Sequence, residues 1–255
     1  MRLSHILLIA GALTAAPIAA QAQQAAPIQT ADCMSSTATP TGTVERTTVT
    51  SRGREIQGLL YRPVRPNGAG IVIVHDREGI QEDVERYTVQ IRRLVTCGYT
   101  VIVPSYYDAA GPRSVNDPML RDKWLQAIDE SIVKLGSLEG VDANRIGFWR
   151  HGRGGGLALA DAMNGIAARA VVAVSAGGRA ERGRGSPPIL LISGDHNPSA
   201  PLYAAEELAR TLREREISVT VESVPATLPE FEPATWDAVF EKTLAFFEVQ
   251  LAPAA

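Results

Sequence analysis

The feature that most constrains this chain is a repeated alternation between short, continuous apolar runs and longer stretches carrying an apolar stripe at helical spacing. The runs are GIVIVHD in the 69–76 region, TVIVPSY at 100–106, RIGFW at 145–149, AVVAVSA at 170–176, ILLISGD at 189–195 and ISVTVES at 217–223. Most are apolar on both alternating faces, which suits strands covered on both sides inside a parallel sheet. Between them, Val84, Tyr87, Ile91, Leu94 and Val95 share one helical face, and Leu120, Trp124, Ile128, Ile132 and Leu135 share another. Trp236, Phe240, Leu244, Phe247 and Leu251 repeat the pattern near the C-terminus. Upstream, TVERTTVTSRGREIQGLLYRP alternates β-formers around Arg52 and Gly53, which predicts an antiparallel hairpin. The expected fold is α/β: a three-layer sandwich with a largely parallel central sheet and an N-terminal antiparallel hairpin. Ligands of such sheets sit at the carboxyl ends of the strands.

The alternation does not reach the N-terminus. Met1-Arg2, the apolar run ILLIAGALTAAPIAA and the small-residue site Ala20-Gln21-Ala22 read as a secretory signal peptide over residues 1–22. Pro17 and the Gln/Ala/Pro-rich stretch that follows do not suit a longer helix. The expected location is therefore periplasmic or secreted, with no membrane attachment after cleavage; Cys33 lacks a preceding lipobox. Residues 23–42 read as a flexible leader, and 43–255 as one α/β domain. About 230 residues after the signal peptide suffice for one sizeable core. The formal net charge of −3 and the lack of a long basic run exclude nucleic acid as an expected partner; the arginines of GGRAERGRG read as a solvated loop. Cys33 and Cys97 are the two cysteines, which an oxidising compartment would allow to pair and which would otherwise be two thiols.

The polar residues with chemical potential cluster in the loops after the strands: HDREGI, PSYYDAAG, RHGRGGG, SAGG, GDHNPSAP and PATLPEF. In order and wording these segments resemble the dienelactone hydrolase family of the α/β-hydrolase superfamily, over nearly all of the chain from about Thr43. IVIVHDREGI resembles the family's strand and oxyanion-side loop, GYTVIVPSYYDAAG its Gly-Tyr-x-x-x-x-Pro segment, VDANRIGFWRHGRGGG its strand and nucleophile elbow, and PPILLISGDHNPSAP its strand and acid loop. The resemblance implies the α/β-hydrolase fold, hydrolysis of small esters or lactones, and no cofactor.

The elbow departs from that pattern. In a G-x-S-x-G turn the nucleophile sits strained at a helix start, and the next backbone N–H helps to hold the oxyanion. Aligned on the strand, Arg150 takes the first glycine, His151 the first x, Gly152 the nucleophile, Arg153 the second x and Gly154 the last glycine. Gly152 has no side chain with which to attack. The acid of the family's G-x-x-D segment falls on Asn197, unless a gap brings Asp195 into the role, and the base falls on Pro229, which takes no proton. Three substitutions imply a degenerate hydrolase.

What remains suits binding. Glycine N–H groups, a helix start and the flanking Arg150 and Arg153, with Gly154, are suited to a small ligand carrying a carboxylate or phosphate. His75, Asp76 and Tyr106 are candidate lining residues on the oxyanion side, where His75 also has a structural reading and one of Tyr106 and Tyr107 is expected to pack inward. The alternative is an active hydrolase with a noncanonical group among His151, Asp195, His196 and Ser175. No helical His-x-x-x-His pair sets a ligand geometry, so no metal site is expected.

Overall fold

The computed structural model describes residues 42–75, 80–110, 118–151, 166–175, 186–196, 201–225 and 233–254. Eight strands form one sheet: β1 (Gly42–Ser51), β2 (Arg54–Pro63), β3 (Gly70–Val74), β4 (Thr100–Pro104), β5 (Ile146–His151), β6 (Ala170–Val174), β7 (Ile189–Gly194) and β8 (Val219–Val224). Their order is β1-β2-β4-β3-β5-β6-β7-β8. β1 and β2 pair antiparallel along their whole length, through a turn in which Arg52 and Gly53 both have positive φ, 47° and 76°. That is the backbone twist a two-residue hairpin needs, and it accounts for the glycine at position 53. β2 then joins β4 antiparallel, and all further pairings are parallel.

Every residue of β3, β4, β6 and β7 is buried, which is why these strands read as unbroken apolar runs. Four helices are described: α1 (Ile80–Thr96), α2 (Pro118–Gly136), α3 (Leu202–Arg213) and α4 (Pro233–Gln250). Alternation along each strand divides the core in two. On one face, Trp124, Ile128, Ile132 and Leu135 of α2 and Leu208 and Leu212 of α3 pack with Val72, Val74, Ile102 and Phe148. On the other, Tyr87, Ile91, Leu94 and Val95 of α1 and Phe240, Leu244 and Phe247 of α4, with Leu251 just beyond it, pack with Ile71, Ile73, Val101 and Trp149. The expected stripes are thus the buried faces, with Leu120 half-buried at the rim and the side chain of Val84 outside the described set. Each large apolar side chain so buried contributes roughly 1.5–3 kcal/mol.

Specific contacts fix the second face. Arg93 of α1 is 3 % exposed; it lies 2.7 Å from Asp237 of α4 and 4.0 Å above the Phe240 ring. Gly147 admits α4 closely, since a Cβ there would stand 2.7 Å from Phe247 and 2.8 Å from Ile71. Arg145 donates to the carbonyl oxygens of Leu251 (2.7 Å) and Asn67 (2.9 Å), tying the chain end to the lead-in of β3. Cys97, buried just beyond α1, is disulfide-bonded; Cys33, the other cysteine of the sequence, lies outside the described residues. Among the described residues no helix is long and apolar enough to cross a membrane.

Candidate active site

The order of the strands decides where a site can form. From β3 the chain crosses to β4 on one side, whereas β5 leads to β6 on the other. The connections leave these two adjacent strands in opposite directions, which opens a crevice at their carboxyl ends, the topological switch point of the sheet. In register, Val74 pairs with Arg150, so β3 delivers His75 and β5 delivers Arg150 and His151 to this crevice. Ser175 follows β6, and Asp195 and His196 follow β7, on the same edge.

At the β3 and β4 ends the groups form an aromatic cluster. The His75 ring stacks on Tyr106 at 4.3 Å between centroids and meets Tyr107 edge-on at 4.9 Å. Trp124 of α2 closes the cluster, 5.1 Å from Tyr107 and 6.3 Å from Tyr106. Tyr106 is fully buried, and its hydroxyl donates to the His75 carbonyl oxygen at 3.0 Å. Tyr106, a candidate lining residue in the sequence, thus packs inward like Tyr107, and its hydroxyl bond fixes the backbone at the end of β3. His75, 1 % exposed, has the same supporting character. Trp124 read only as part of a helical stripe, because nothing local shows that α2 brings it beneath this loop.

Farther along the edge, Ser175 is buried and has φ of 52°, the left-handed region that non-glycine residues enter only at some energetic cost. Its N–H donates to the Ile192 carbonyl oxygen at 2.7 Å, which ties it to β7. Past that strand, the Asp195 N–H donates to Val224 at 3.0 Å, and His196 Nδ1 lies 2.9 Å from Asp195 Oδ1. The His196 side chain is 72 % exposed. An aspartate touching Nδ1 orients an imidazole so that Nε2 faces outward, as a general base requires.

Arg150 has the opposite environment. It shares a strand face with Ile146 and Phe148, is 1 % exposed, and its Nε, Nη1 and Nη2 have no hydrogen-bond partner among the described residues. The sequence placed Arg150 beside the elbow, but its complete burial follows from packing on both sides of β5. Asp76, Gly152, Arg153, Gly154, Asn197 and Pro229 lie outside the described residues, as does the side chain of His151. Among the described residues no three His, Cys, Asp or Glu side chains converge on a metal position.

Solved structures share this architecture. A protein of Klebsiella pneumoniae assigned as a dienelactone hydrolase matches with a TM-score of 0.66 and 20 % identity, over 81 % of this chain and 98 % of that one. A thermostable esterase from Pseudomonas putida matches with a TM-score of 0.66 and 15 % identity, over 84 % of each chain. An acylaminoacyl peptidase of Pyrococcus horikoshii matches with a TM-score of 0.67 and 14 % identity, over 84 % of this chain and 43 % of that one. At such identities the likeness speaks for the fold, which is that of the α/β-hydrolases. Among curated proteins, no sequence matches this chain. The family model does: it matches residues 56–228, a stretch that starts within β2 and includes β8, and by that match the chain belongs to the dienelactone hydrolase family.

Proposed function

We propose that this protein is an exported, degenerate member of its family, which has lost the conventional ester-hydrolysing mechanism and holds a small acidic ligand at the carboxyl edge of its sheet. The observation that carries the reading is the end of β5: the strand runs through His151, paired with Val174, and Gly152 is the next residue of the sequence, in keeping with the alignment of the elbow. A glycine at the nucleophile position supplies backbone N–H groups and no attacking atom. β7 likewise ends at Gly194 and β8 at Val224, which supports aligning the acid segment on Asp195 to Asn197 and the base segment on the stretch containing Pro229. Loss of one triad member typically lowers the rate by about 10⁴ or more, with the residue of catalysis coming from the oxyanion hole and binding. Residues 1–22 supply the reason to place the mature protein in the periplasm or outside the cell.

The test is hydrolysis of p-nitrophenyl acetate and of a dienelactone by the mature protein, beside His151→Ala and His196→Ala variants. Equal background rates in all three are expected, and Gly152→Ser alone should not restore turnover. Turnover that disappears in either histidine variant would overturn the reading.

A second reading has a specific observation behind it. Ser175 in the left-handed conformation after β6, with the Asp195–His196 contact after the adjoining β7, supplies the residue types of a nucleophile, an orienting acid and a base on neighbouring strand ends. On this reading the protein hydrolyses an ester through Ser175, and both Ser175→Ala and His196→Ala abolish turnover.

A further inference from the structure

We infer that Arg150 is the recognition residue of a buried anion site, and that its ligand is a small monocarboxylate held by the guanidinium at the switch point between β3 and β5. The inference rests on the binding reading above and names the ligand class and the anchor.

A guanidinium brings a positive charge and five N–H donors wherever a fold encloses it. A buried cation without a counter-charge is among the largest penalties a fold can carry, and a large fraction of a domain's net stability. All three nitrogens of Arg150 are buried and have no hydrogen-bond partner among the described residues, on a side chain 1 % exposed. The same fold shows how a buried arginine is satisfied when its role is structural: Arg93, 3 % exposed, has Asp237 at 2.7 Å and the Phe240 ring at 4.0 Å. Among the described residues Arg150 has no such arrangement. Its neighbours in the sheet are Val74 and Ala173, and β3, β5 and β6 contain no acidic residue. A methionine or leucine would fill the same space on that face beside Phe148, so packing alone does not account for the charge.

The position also suits a ligand. Arg150 is the next-to-last residue of β5, at the carboxyl end of the strand, where ligands of such sheets bind. The fork of a guanidinium matches the two oxygens of a carboxylate in one plane. One fixed positive charge amid apolar side chains selects a single negative charge, whereas a phosphate dianion would leave charge unmatched in the same low-dielectric setting.

Thermal unfolding of the mature, disulfide-intact protein tests this, with sodium benzoate, sodium phosphate and sodium chloride at matched ionic strength. Benzoate should raise the Tm saturably, by roughly 5–10 °C at a concentration about a hundred times its Kd. Arg150→Met should abolish the benzoate shift while leaving the ligand-free Tm equal to or above that of the wild type, since an unpaired buried charge is replaced by an apolar chain. Arg150→Lys keeps a charge without the fork and should weaken benzoate at least about tenfold, measured by calorimetry. A benzoate shift that survives in Arg150→Met, a larger shift with phosphate than with benzoate, or no shift in the wild type would each overturn the assignment. If Arg150→Met does not fold, unaltered benzoate affinity in Arg150→Lys overturns it in its place. Turnover in the ester assay sinks the non-hydrolytic reading alone, whereas a missing benzoate response in an inactive protein sinks the Arg150 site alone.

Discussion

Asp129 offers a sharp test of the electrostatics in this fold. It lies on α2, half-buried, with one carboxylate oxygen that is buried and has no hydrogen-bond partner among the described residues. Glu130 follows it; one of its oxygens accepts from Gln126 at 2.9 Å, while the other is buried without a partner. Gln126 in turn accepts from Arg52 of the hairpin turn. Burial, and secondarily the Glu130 charge, push the Asp129 carboxyl up from 3.8 to about 6. The folded state thus binds this proton more tightly than the unfolded chain does. Above pH 6 the ionised carboxylate destabilises the fold, and the penalty fades as the pH falls through 6 and vanishes below about 4, where both states are protonated. With full burial a rise of this size would correspond to about 3 kcal/mol. Solvent reaches the half-buried group, which reduces the expected effect to about 1 kcal/mol.

Asp129→Asn retains the shape and removes the charge. In urea titrations it should be more stable than the wild type by about 1 kcal/mol at pH 8, a gain of roughly 2–4 °C in Tm for a domain of this size. The gap should close between pH 6 and pH 4. Titrating groups that do not interact with Asp129 act equally on both proteins, so the difference reports Asp129 together with its repulsion from Glu130. A gap independent of pH would mean that the carboxylate charge is not its source. A less stable Asn variant at pH 8 would mean that the carboxylate has a favourable partner, and the reasoning from desolvation would fail.

Two further outcomes follow from packing and cross-linking. At Gly147, alanine would put a Cβ 2.7 Å from Phe247, 2.8 Å from Ile71 and 3.1 Å from Leu251, so Gly147→Ala should lower the urea midpoint by the equivalent of about 1–3 kcal/mol with an unchanged slope; a neutral result would mean that α4 shifts freely on the sheet. Since Cys97 is disulfide-bonded and Cys33 is the only other cysteine, thiol titration of the denatured, unreduced protein should find no free thiol, and reduction should cost about 2–4 kcal/mol of stability; two reactive thiols before reduction would refute the cross-link.

The strands, the hairpin at Arg52 and Gly53 and the buried faces of α1, α2 and α4 were legible in the sequence because each depends on local periodicity: two residues for a strand, 3.6 for a helix. The glycine expected at the elbow's nucleophile position, Gly152, is a reading of the sequence alone and lies outside the described residues. Tertiary structure alone decided what surrounds those positions. It brought Trp124 beneath Tyr107 and His75, turned Tyr106 inward, set Ser175 in the left-handed region beside β7, and enclosed Arg150 at the switch point. The reason is that burial and partnership arise between segments far apart in the chain. From the sequence, Arg93 and Arg150 are two arginines on amphipathic or apolar elements; only the assembled layers give Arg93 its aspartate and leave Arg150 without a hydrogen-bond partner among the described residues.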